Sequence, residues 1–121
     1  MKIENIKFKA KSILDGAWVQ GDLIHKEDGK IAILRNGFNV SEVNPSTVCM
    51  FTGLKDCKGN EIFENDLIHF VGYEPTAEVI WSEDDYAFMT TSDMNPFLLS
   101  DVIDVGVGKI ERVCNKFDKE R

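Results

Sequence analysis

Turn-forming dipeptides cut this chain into short pieces. Asp15-Gly16, Asp28-Gly29 and Asn36-Gly37 each join a residue that tolerates positive φ to a glycine, the chemistry of tight hairpin turns. Lys58-Gly59-Asn60 supplies a further turn. The pieces between are β-favouring: Trp18 to His25, Lys30 to Leu34, Phe38 to Val43, Val48 to Thr52, Leu67 to Val71, Ala77 to Trp81, Tyr86 to Thr91 and Val105 to Val113. Each has the length of an ordinary strand. The best helical stretch is Pro96 to Asp104, with Asn95 placed to cap it and Pro96 in its first turn. The expected fold is therefore all-β, with short twisted strands forming SH3- or OB-like barrel units and at most one or two short helices. An N-terminal β subdomain is expected over 1–47 and a barrel-like subdomain over 48–121, unless the two form one compact domain.

The tetrapeptide DLIH occurs twice, at Asp22 to His25 and Asp66 to His69, and holds both histidines of the chain. In each copy a turn residue, Gly21 or Asn65, precedes the Asp. A carboxylate there can accept backbone N–H bonds, so both motifs are read as structural openings of strands, in two related halves. Along a strand each His shares a face with a Leu rather than with carboxylates. No HxH, HExxH or Cys/His spacing is present, so no metal site and no cofactor are expected. Cys49, Cys57 and Cys114 are odd in number and lack a CxxC pair, which fits reduced thiols.

The net charge is −7, which disfavours generic nucleic-acid binding. Lys7, Lys9 and Lys11 would line one face of a strand, read here as a solvated outer face or an edge guarded by lysine. No apolar run approaches the ~20 residues that span a bilayer and no signal peptide is expected, so the expected location is cytoplasmic, without membrane association. Glu83-Asp84-Asp85 reads as a solvated hairpin loop, since it lacks the alternating oxygen ligands of a calcium loop. Asp101 and Asp104 are placed to cap or end the short helix. Trp81, Tyr86 and Phe88 are expected to pack a hairpin, and also form the candidate interaction surface, because aromatics on a barrel face can grip peptides or stack bases. No phosphate loop or nucleophile elbow occurs, and no residue is assigned a catalytic role.

Residues 51–66 read FTGLKDCKGNEIFEND. This block resembles the core of the YopX-like family of phages and prophages, whose pattern runs FTGLKDKNGKEIYEGDIV. Phe51, Thr52, Gly53, Leu54, Lys55, Asp56, Gly59, Glu61, Ile62, Glu64 and Asp66 match it, and Phe63 stands for the usual Tyr. Asn65 replaces the family glycine and keeps tolerance of left-handed φ. Downstream, Val79-Ile80-Trp81, Phe88 and Val105 to Ile110 are similar to later family segments. The resemblance implies a mainly β, barrel-like fold and homo-oligomerisation, and it offers no catalytic residue to carry over. The matched residues are read as structural. The expected function is that of a non-enzymatic protein, encoded by a phage or prophage and located in the host bacterial cell. It acts by self-association and by binding a host or phage protein. The alternatives are a nucleic-acid-binding SH3/OB-like module and an uncharacterised small enzyme.

Overall fold

The computed structural model describes residues 2–72, 75–91, 97–105 and 109–118. Among these residues eleven strands form two antiparallel sheets, with one short α-helix. The protein is mainly β. It divides into two compact units, residues 1–51 and 52–118, with the boundary inside one strand.

The first unit holds β1 (Phe8–Lys11), β2 (Trp18–His25), β3 (Ile31–Arg35), β4 (Asn39–Glu42) and the start of β5 (Cys49–Lys55), in the order β4-β3-β2-β1-β5. The turn dipeptides do what their chemistry dictates. Asp28 Oδ1 accepts from Lys30 N at 3.0 Å, and Lys26 N to Lys30 O at 2.9 Å closes the β2–β3 hairpin. Asn36 and Gly37 both take positive φ, 48° and 76°, between β3 and β4. Asp15 Oδ1 accepts from Ala17 N at 2.9 Å between β1 and β2. Alternation then sends Ala10, Val19, Ile33 and Val43 into one core, with Phe8, Leu23, Ile31 and Val48 against it. Burying Ile33 fully stabilises the unit by about 1.5–3 kcal/mol.

The second unit holds the rest of β5, which pairs with β6 (Glu61–Phe63), then β7 (Asp66–Phe70), β8 (Ala77–Ser82), β9 (Ala87–Thr91), β10 (Phe97–Leu98), α1 (Leu99–Val105) and β11 (Ile110–Asn115). Its sheet runs β10-β9-β8-β7-β11. Leu99, Val102 and Ile103, spaced i, i+3 and i+4, bring one face of α1 onto the core of Ile62, Ile68, Val79 and Ile110.

Several boundaries differ from the sequence reading. Helix α1 begins at Leu99, after the two-residue strand β10, and Asn95 and Pro96 lie outside the described residues. Val105 ends the helix rather than starting a strand, and the last strand begins at Ile110. Tyr86 takes φ 50°, so β9 starts one residue later. The expected SH3- or OB-like barrels do not close among the described residues. In the first unit the sheet curls until Ser12 bridges Val43, and Ile13 N reaches Glu42 O at 3.1 Å, but the ladder ends there. In the second unit α1 covers the apolar face that closure would otherwise bury.

The lysine stripe is neither solvated nor at an edge. Strand β1 lies between β2 and β5, and Lys9 and Lys11 are 8% and 6% exposed. Their Nζ atoms stand 4.7 and 5.5 Å from the centroid of Trp18, and Lys7 Nζ stands 4.8 Å from that of Phe51. Stems pack along the sheet while the ammonium groups lie over rings, which lets lysine occupy an inner strand.

Candidate functional site

The 51–66 block builds two carboxylate nodes in the second unit. Thr52 Oγ1 donates to Ile62 O at 2.7 Å and accepts from Leu54 N at 3.2 Å, tying β5 to β6. Gly53 takes φ 85° within β5, and Lys55 is exposed at its end. Asp56, 6% exposed, then organises the turn through Gly59. Its Oδ1 accepts from Lys58 N at 2.9 Å and Asn60 N at 2.8 Å. Its Oδ2 accepts from Asn60 Nδ2 at 3.1 Å and from Arg112 N, on β11, at 2.9 Å. Burial raises the pKa of this carboxyl, and the amides of Arg112, Asn60 and Lys58 outweigh it, so the group sits below the ordinary carboxylate value. Cys57 N also donates to Ile110 O at 2.8 Å. The turn therefore covers main-chain groups on the outer edge of β11, an edge that would otherwise be open to pairing.

Asp66 is fully buried at the start of β7. Its Oδ2 accepts from Phe63 N at 2.7 Å and Arg112 Nε at 2.9 Å, and its Oδ1 accepts from Asn115 Nδ2 at 2.9 Å. Asn65, at φ 71°, turns the chain into this position while its N–H donates to Val79 O at 2.7 Å. Asn115 Nδ2 also reaches Glu64 O at 3.3 Å. Glu61 and Glu64 are half-buried, and Ile62 is in the core. These hydrogen bonds tie the turns of the block to β6, β7 and β11.

The two DLIH motifs part company here. Asp66 opens its strand as expected, but Asp22 lies exposed inside β2, opposite Leu34. Gly21 serves a close approach instead of a turn: a Cβ there would lie 2.1 Å from Leu34 O. His25 ends β2, exposed, opposite Ile31. His69 is half-buried, and its Nε2 lies 2.8 Å from Oε1 of Glu111, its cross-strand partner. Lys58 pairs with the other oxygen of Glu111. The expectation that His69 lacks carboxylate neighbours is thus corrected, because contact runs across the ladder as well as along the strand. Lys58 first and His69 second hold the Glu111 carboxyl below its usual range, and Glu111 raises Lys58. The trio is a polar cluster bridging the β5–β6 turn, β7 and β11.

Trp81 and Phe88 face each other across β8 and β9, with ring centroids 5.1 Å apart at 72°. Phe88 packs on the core, Trp81 is partly exposed, and Tyr86 projects from the loop at 78% exposure. Ser82 and Asp85 close that Glu83-Asp84-Asp85 loop through a 2.9 Å hydrogen bond. In the first unit a cleft of about 390 Å³ is lined by Lys11, Ser12, Asn44 and Thr47. Its hydroxyls serve the fold: Thr47 Oγ1 accepts from Lys11 N and donates to Asn44 O, and Ser12 Oγ accepts from Leu14 N. Cys49, Cys57 and Cys114 form no disulfide among the described residues.

A family model described as YopX protein matches residues 3–110. The chain belongs to the YopX family. No curated protein matches it.

For a YopX-family chain the match spans both units, and the family block supplies Asp56 and Asp66 of the two nodes. Their partners Arg112 and Asn115 lie just past the matched stretch, and sequence reasoning missed them, along with Glu111. The available signal was polar residues at the end of the chain, Glu111 and Arg112 inside the β-favouring stretch Val105 to Val113 and Asn115 two residues past it. Of the candidate interaction residues, Trp81 and Phe88 come together and Tyr86 stands apart at the loop.

Proposed function

We propose that this YopX-family protein is a non-enzymatic binding module. It is encoded by a phage or prophage and acts in the cytoplasm of its bacterial host through self-association and protein binding. The observation that carries this reading is the outward display of large apolar side chains at turns. Leu14 is 91% exposed, Phe38 97% and Tyr86 78%. Such side chains gain from being covered, at about 25 cal/mol per Å² of apolar surface. The polar clusters support the same reading, since their hydrogen bonds go to backbone and neighbouring strands. Sedimentation velocity over a concentration series and affinity capture from host lysate test it together. Self-association that rises with concentration and a captured protein weakened by Phe38→Ser and Leu14→Ser are the expected results. A chain that stays monomeric and captures nothing sinks the reading.

A further inference from the structure

Strand β4 is the outer edge of its sheet. Hydrogen bonding along it alternates. Val43 N donates inward to Ile31 O at 3.0 Å, whereas Glu42 O accepts from Ile13 N, on the outer side, at 3.1 Å. The same alternation turns the N–H and C=O of Val40 outward. Residues Ser12 and Ile13 cover this edge only at Glu42 and Val43. Beyond them, Phe38, Asn39 and Val40 are exposed.

The side chains beside this edge have a definite character. Val40 lies opposite Leu34, and Leu34 opposite Asp22, so the three share a face. Glu42 follows Val40 by two and shares it too. Phe38 adjoins at the turn, and Val40 is 55% exposed. Apolar side chains are thus flanked by two carboxylates, and neither Asp22 nor Glu42 is in an ion pair among the described residues. The lysines of β1 do not answer them, because Lys9 and Lys11 are buried against Trp18.

We propose that the β4 edge takes an extended segment of a partner protein as an added strand, with apolar residues against Val40 and Phe38 and Lys or Arg against Glu42 and Asp22. Main-chain bonds to Val40 supply the docking, and charge selects the sequence. This deepens the binding-module reading and rests on it.

The test uses the full chain, ¹⁵N-labelled, with the peptide Lys-Thr-Val-Thr-Val-Thr-Lys and its counterpart carrying Glu at both ends. Both peptides read the same in either strand direction. Amide shifts should concentrate at residues 38–42, and the Lys peptide should bind about fivefold more tightly, an advantage that shrinks in high salt. Val40→Pro removes an outward N–H that β3 does not use, and should abolish the shifts. A peptide N-methylated along its bonding edge should also fail, with the protein unchanged. Shifts outside 38–42, equal binding of the two peptides, or undiminished binding of the methylated peptide would overturn the proposal. So would a dimer that protects the Val40 amide without peptide, since the occupant is then a second copy. A captured partner that leaves Val40 unmoved removes only the β4 assignment and leaves the binding-module reading standing.

Discussion

The same four residues, DLIH, sit in two environments. At 66–69 the Asp is fully buried and accepts from Phe63, Arg112 and Asn115, and the His meets Glu111. At 22–25 the Asp is exposed mid-strand and the His faces solvent. Local sequence gives both segments a strand. Arg112 and Asn115, more than forty positions away, give one Asp the side-chain partners that the other lacks among the described residues, so identical motifs carry unequal shares of stability.

The largest break in that comparison is Asp66→Ala. It leaves Arg112, a quarter exposed, and the buried Asn115 facing an empty polar site, and should cost about 1–3 kcal/mol for each donor left unsatisfied. Asp22→Ala should stay within about 0.5 kcal/mol. Urea unfolding of both variants decides the matter, and equal losses would refute the contrast. Next comes Gly21→Ala, which drives a methyl into Leu34 O and should cost about 1–3 kcal/mol by the same measurement. Asp56 sharpens the picture through pH. Its folded pKa lies below the unfolded value near 3.8, so its contribution is complete above that value and is lost as pH falls through the folded pKa. Acid unfolding followed near pH 3 should be less steep in Asp56→Asn. The smallest pair is His69→Gln and His25→Gln: thermal melts should move slightly for the first and not measurably for the second.

How far the fold could be read from the chain follows the range of the forces involved. The turns at Asp28-Gly29, Asn36-Gly37 and Lys58-Gly59 were legible because a turn is decided by its own residues. The inner place of β1 was not, because it depends on β5 pairing with it from some forty residues on. The bonding of Asp56 to β11 was hidden for the same reason. Charge averaging hid a further difference. Residues 1–51 carry seven Lys or Arg against six Asp or Glu, whereas 52–118 carry five against fourteen. Net charge therefore repels nucleic acid from the second stretch alone.

The Asp66 node also bears on rates. Its bonds to Arg112 and Asn115 close loops of 46 and 49 residues, contacts the chain can make only after most of the second unit has assembled. Interactions made after the folding barrier barely speed folding, but they must be broken on the way out. Asp66 and its two partners should thus govern how long the folded unit lasts, so that Asp66→Ala shows as faster unfolding in stopped-flow traces, with the refolding limb nearly unmoved.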